Sequence, residues 1–233
     1  MLTFPSKLST LVGYQSMALI LNIGTALQTG SVCLSENEKP ISFLENTQQG
    51  QQANWVHNAI KQVISDADIT FGSLNAVAVS NGPGSYTGLR IGLSTAKGIC
   101  YALKIPLICI NTLTIMASAV AGHATDLICP MIDARRMEVF TALYDRQLNI
   151  VDRPKALVLE KNTFSDILAC HKVLFTGDGS KKFKELEPSN ATFVDNNHNV
   201  LHQLFLSAKM YAQSEFVDLA YSEPEYLKPV YTK

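Results

Sequence analysis

Apolar positions along the chain switch between two periods, and the switches mark out its elements. Ala18–Ile23 is apolar with β-branched residues and predicts a strand. Ser31–Ser35 follows the turn residues Gln28, Thr29 and Gly30, and Ile41–Glu45 predicts a third strand, so the opening segment reads as an antiparallel meander. Over Gln51–Ser65 the apolar residues Ala53, Val56, Ile60 and Val63 recur at helical spacing. Asn75–Ser80 then predicts a strand, Gly82–Gly84 a turn, and Tyr86–Leu103 a helix that ends before Pro106. Leu107–Ile110 reads as a strand and Leu113–Val120 as a helix.

Ala121–Asp126, with Gly122, His123 and Thr125, reads as a joint, after which the pattern begins again. Leu127–Asp133, Glu138–Tyr144 and Lys155–Leu159 are strand-like; Thr163–Cys170 is helix-like and Val173–Thr176 a strand. Gly179–Leu186 is a turn and short helix, Ala191–Val194 a strand and Val200–Gln213 a helix. Each half therefore runs three strands, helix, strand, helix, strand, helix: a repeat in element order rather than in residues. A meander followed by alternating helices and parallel strands gives a mixed sheet with helices on its faces. Two such α/β units side by side are the duplicated architecture of the actin, Hsp70 and sugar-kinase (ASKHA) superfamily. The expected division is a Ser/Thr-rich extension at 1–16, with Met17 as the original start. Units at 17–121 and 122–220 follow, then a tail at 221–233 that packs back across the molecule.

Composition narrows the picture. Hydrophobic residues make up 47% and charged residues 17% of the 233, which places the chain among globular proteins. A formal net charge of -1 gives no support for a nucleic-acid surface held by bulk electrostatics. The 5 cysteines are odd in number and none forms a Cys-x-x-Cys pair, so they read as reduced core thiols. No apolar run reaches the roughly 18–20 residues of a membrane span, and the first residues lack a signal-peptide pattern. A cytoplasmic location and no membrane contact are the expectation.

The strongest local signal is Ser80–Arg90, Ser-Asn-Gly-Pro-Gly-Ser-Tyr-Thr-Gly-Leu-Arg, between a strand and a helix. Gly82, Gly84 and Ser85 are candidates for holding an anion at the helix start. The loop lacks the Gly-Lys-Ser/Thr of a Walker loop and the spacing of the dinucleotide fingerprint. A sharp strand-to-helix turn is the favoured alternative. Together with its helix and Pro106, however, Gly82–Leu103 resembles the signature of the TsaB (YeaZ) family. Asp133-Ala134-Arg135-Arg136 with Glu138, the turn Gly177-Asp178-Gly179, and Tyr226-Leu227-Lys228 resemble further segments of that family. The resemblance runs from about Met17 to Lys228. It implies a subunit of the complex that transfers a threonylcarbamoyl group to N6 of adenosine 37 in tRNAs reading codons that begin with A. It also implies a catalytic paralogue of the TsaD type as partner, a TsaE-like ATPase, and tRNA contacted through the complex. ATP and a metal would belong to the assembled complex and no cofactor to this chain. Homodimerisation of the free chain stays open.

Against that resemblance, Gly24 stands where the family's first turn usually carries an acidic residue, so the chain cannot place a metal or water near a phosphate there. His57 is a single histidine where the catalytic paralogue carries a His-x-x-x-His pair, which makes a poor metal site. No catalytic residue is assigned. The alternative reading is a nucleotide-binding kinase or ATPase of the same superfold. Asp133, Arg135, Arg136 and Glu138 read as an Arg–carboxylate network, or else as an anion or RNA contact. On the helix Tyr86–Leu103, Leu89, Leu93, Ala96, Cys100 and Leu103 form the row expected to face the sheet. A second row, Gly88, Gly92, Thr95 and Ile99, is expected with Trp55, Val56 and Ala59 to meet the paralogue in a four-helix bundle, as the resemblance implies. The alternative is that the two helices cover each other.

Overall fold

A computed structural model describes residues 17–46, 52–124, 126–186, 188–195 and 198–228; the expected extension at 1–16 lies outside them. Strands β1 (Leu19–Gly24), β2 (Gly30–Glu36) and β3 (Lys39–Asn46) form the antiparallel meander. Helix α1 (Gln52–Asp66) leads to β4 (Ala76–Gly82), α2 (Tyr86–Leu103), β5 (Leu107–Asn111) and α3 (Thr112–Val120). The second half repeats the order with β6 (Leu127–Asp133), β7 (Glu138–Asp145), β8 (Ile150–Val158), α4 (Ser165–Cys170), β9 (Val173–Thr176), α5 (Ser180–Glu185), β10 (Ala191–Val194) and α6 (Leu204–Ala212). The sheets run β3-β2-β1-β4-β5 and β10-β9-β6-β7-β8. Reversing the second gives the strand order of the first, element for element. This is the duplicated actin/Hsp70-like fold, reached from two mixed five-stranded sheets.

Period-two alternation decides what each face meets. Leu21, Ile23, Val77 and Val79 turn to one side, onto Val56, Ile60 and Val63 of α1 and Leu93, Ala96 and Cys100 of α2. Ile20, Ala76, Ala78 and Ile110 turn to the other side, where they meet Ile115 of α3 and Leu206 of α6. In the second sheet Cys129, Met131, Val139 and Phe175 pack with Leu168 of α4 and Phe183 of α5. Its other face, Ile128, Ile132, Ala142 and Tyr144, packs on Leu113, Met116, Ala117 and Val120 of α3. Helix α3 therefore lies between the two sheets and serves both cores. That accounts for its apolar character all round. The last helix of the second half, α6, packs against β1 and β5 of the first.

The chain end also returns to the first sheet. Val217 bridges Leu107 on the free edge of β5. Lys97 Nζ then donates to the carbonyls of Ala220 (3.2 Å) and Ser222 (3.0 Å). Glu225 binds Asn111 Nδ2 (2.7 Å), and its amide donates to Asn81 O (2.7 Å). Lys228 closes the path onto Glu138 of the second half. Among the described residues no helix is long and apolar enough to cross a membrane.

Candidate functional site

Three motifs far apart in sequence line one open cleft of about 990 Å³ between the two halves. One wall is the turn after β1 (Ala26, Leu27, Gln28) with the start of α2 (Gly84 to Gly88). The other is Asp133 to Arg136, with Asp178 and Lys182.

The glycine loop is built for close packing. Gly82 has φ of +126°, which favours glycine, and a Cβ there would stand 2.4 Å from the carbonyl oxygen of Glu225 in the returning tail. A Cβ on Gly84 would stand 2.3 Å from Ala26 O. Ser85 caps α2, its Oγ accepting from Gly88 N (3.2 Å), while its own amide donates to Ala26 O (2.7 Å). Around Gly82, Gly84 and Ser85, the candidate anion residues, the close contacts are with the chain itself. The glycines give their space, and Ser85 its amide, to neighbouring segments of the same chain.

The charged cluster departs from the first of its two readings, the Arg–carboxylate network. Asp133 Oδ1 accepts from Lys182 Nζ (2.6 Å) and from the Arg135 amide (2.6 Å), and Glu138 pairs with Lys228. Burial opposes ionisation of Asp133, but Lys182 and the Arg135 amide outweigh it and hold its carboxyl below the usual range. The carboxylates take lysines, not arginines. Arg135 and Arg136 form no ion pair among the described residues. Their backbones are left-handed (φ +71° and +52°), so the tight β6–β7 turn, not an ion-pair network, sets their position.

The expected partner row on α2 divides. Gly88 and Gly92 are buried, as are Val56 and Ala59 on α1. A Cβ on Gly92 would stand 2.2 Å from Thr25 Oγ1 and 3.3 Å from Val79 Cγ2. Thr25 in turn donates to Gly88 O (2.7 Å). Gly92, Val56 and Ala59 therefore pack into the chain's own interior, while Gly88, buried as well, also borders the cleft. Trp55, Thr95 and Ile99 remain half-buried, with Trp55 and Ile99 packed against the first core. The glycine of α2 that faces open space is Gly98, with nothing within 4 Å of a built Cβ. It is exposed beside Ser94 and Tyr101. Two apolar rows some 60–100° apart on one helix look alike from spacing alone; only the contact with Thr25 tells them apart.

Gly24 sits against Ser31 Oγ, 3.1 Å from a built Cβ, and Val200 Cβ, 3.5 Å away. The turn is walled in by the 3-10 segment Val200–Gln203. A Cβ here would be tight against the Ser31 hydroxyl alone, and no residue from Gly24 to Gly30 carries a carboxylate that could hold a metal-bound phosphate. His57 is exposed on α1, and among the described residues no three His, Cys, Asp or Glu side chains come together as metal ligands.

The family profile described as "TsaD: tRNA N6-adenosine threonylcarbamoyltransferase" matches residues 48–230, more than half of the chain. The tRNA threonylcarbamoyladenosine biosynthesis protein TsaB of Bacillus subtilis (strain 168) is 34% identical over 134 residues, 55% of this chain but only 57% of that protein. The protein of the same name from Buchnera aphidicola subsp. Schizaphis graminum is 31% identical over 172 residues, 71% of this chain and 81% of that one. In structure, YeaZ from Pseudomonas aeruginosa superposes with a TM-score of 0.78 at 20% identity, over 91% of this chain and 100% of that one, a likeness of fold. With a profile covering most of its length and a relative matched over four fifths of its own, the chain belongs to the TsaB (YeaZ) family.

Proposed function

We propose that the chain is a non-catalytic subunit of the machinery that adds a threonylcarbamoyl group to N6 of adenosine 37 in tRNAs reading codons that begin with A. Membership of a family whose relatives are named tRNA threonylcarbamoyladenosine biosynthesis protein supports the process. The observation that carries the non-catalytic role is Gly24, walled in by Ser31 and Val200 at the turn where a catalytic carboxylate would stand. The chain acts by binding a TsaD-type catalytic paralogue, with a TsaE-like ATPase joining them. ATP and a metal are handled by the assembled complex, and tRNA reaches this chain through it. The docking surface is the outward side of α1 and α2, where Trp55, Thr95 and Ile99 keep partial exposure and Gly98 is open.

The test is deletion of the gene in its native host, with mass spectrometry of tRNA nucleosides, alongside affinity purification of the tagged full chain. Loss of threonylcarbamoyladenosine and recovery of a TsaD-type protein are expected. Normal modified-nucleoside levels in the deletion strain would overturn the process. Turnover of ATP by the isolated, homogeneous chain would overturn the non-catalytic role.

A further inference from the structure

At the carboxyl ends of β1, β4 and β5, on the side of the first sheet covered by α3, lies a second and much smaller pocket of about 30 Å³. It gathers Gly24 at the end of β1, Ser80 on β4, Thr112 at the start of α3, and His198 and Gln203 from the second half, the latter in the 3-10 segment. Ser80, Thr112 and Gln203 are 3%, 2% and 0% exposed. Ser80 Oγ, Thr112 Oγ1, Gln203 Oε1 and both ring nitrogens of His198, which also lines the pocket, have no hydrogen-bond partner among the described residues. Buried polar groups are paired in about 90% of cases or more, and an orphan costs about 1–3 kcal/mol. Four such side chains in one pocket therefore point to something that pairs them.

The chemistry of the lining specifies that partner. Gln203 Nε2 is directed at Asn22 Oδ1 (3.3 Å) and Ala78 O (3.5 Å), which fixes the amide and leaves its carbonyl oxygen on the opposite side. That oxygen only accepts, so the ligand donates to it. The two hydroxyls accept or donate as needed. No Asp, Glu, Lys or Arg lines the pocket, and burial keeps the one titratable residue there, His198, neutral at pH 7, so a charged ligand finds no counter-charge. A water needs roughly 10–15 Å³ of such space and two to four polar partners. The pocket meets both conditions, and it is far too small for a nucleotide.

We propose that this pocket is a binding site for an ordered water that donates to Gln203 Oε1 and bridges it to Ser80 and Thr112. The water fastens the segment Val200–Gln203, which comes from the second half, to the strand ends of the first. It works beside the direct bond from Val200 N to Ser31 Oγ (2.9 Å). The same segment walls in Gly24, so the water helps keep that turn closed. The inference stands independently of the tRNA reading.

A crystal structure of the full chain, at a resolution that places ordered waters, tests it directly. Density bonded to Gln203 Oε1 and to at least one of the two hydroxyls is expected. A map in which the three side chains bond one another, or in which an ion occupies the site at short contact distances, would overturn the proposal. Thr112→Val and Ser80→Ala each remove one bridge. In either variant, exchange of the amides over Val200–Gln203 should quicken on the order of tenfold, with circular dichroism unchanged. Unchanged exchange in both would count against the water, and if a variant fails to fold the map of the unaltered chain decides.

Discussion

Replacing Gly92 by alanine sets two effects of opposite sign against each other. In an exposed helix the change stabilises by about 1 kcal/mol, because glycine loses more backbone freedom on folding. Here the new methyl would stand 2.2 Å from Thr25 Oγ1, so the hydroxyl must move by more than about 1 Å to reach an ordinary contact. Thr25 is fully buried and its hydroxyl donates to Gly88 O at 2.7 Å, so moving it breaks that bond at a cost of about 0.5–1.5 kcal/mol. Overpacking against Val79 Cγ2, 3.3 Å away, adds about 1–3 kcal/mol. The net expectation is destabilisation by about 1–3 kcal/mol, read as a lower urea midpoint with an unchanged slope. A Thr25→Ala background separates the two contacts. There the offending oxygen is gone, the residue 25 Cβ contact at 3.5 Å is ordinary, and only Val79 Cγ2 at 3.3 Å stays tight. Gly92→Ala should then cost less than in the parent by about 0.5–1.5 kcal/mol, the coupling read across the double-mutant cycle. Equal effects in both backgrounds, or a Gly92→Ala chain more stable than the parent, would refute the reasoning.

Gly98→Arg should leave melting temperature within a degree or two, since its site is open, while reducing recovery of the catalytic paralogue in a pull-down; Gly92→Arg should unfold the chain before binding can be read. Burial pushes the thiols of Cys33 and Cys129 up to about 12 and those of Cys100 and Cys109 up to about 11, whereas Cys170 is exposed. A thiol reagent on the native chain should therefore modify Cys170 quickly, the half-buried Cys109 slowly, and Cys33, Cys100 and Cys129 only after denaturant is added; rapid reaction of any of those three would show that the buried sites open. Burial first, and the neighbouring His202 second, lower His198 from 6.5 to about 4. Below pH 6.5 the unfolded chain takes up a proton that the folded chain refuses until about pH 4, so stability should fall through that window by up to about 1.4 kcal/mol per pH unit. His198→Gln should flatten that component in melts at pH 7 and pH 5; an unaltered pH profile would assign the acid sensitivity elsewhere.

What the sequence determined by itself was the run of elements and their duplication. Helix α2 was legible to the residue, because its apolar row begins beside the Ser85 cap and its last residues precede Pro106. Strands β6, β9 and β10 were equally clear, since they are short runs bounded by turn residues. Strand β8 was legible only at its end. It lies at the edge of its sheet, Ile150 and Val151 are 56% and 55% exposed, and Pro154 and three charged residues interrupt any alternation. Gly24 declared the missing carboxylate without any structure. The tertiary structure alone decided the rest. Spacing could not say whether the Gly88–Gly92 side of α2 faced a partner or Thr25, because a 3.6-residue period fixes angles between residues and not the direction of the core. Nor could it say that α3 is shared by two sheets, since a helix that is apolar all round looks the same whichever neighbours bury it. Ser80, Thr112 and Gln203 each read as ordinary polar residues. They become a site because a crossing segment of the second half covers the strand ends of the first, and burial turns three harmless side chains into orphaned hydrogen-bonding groups.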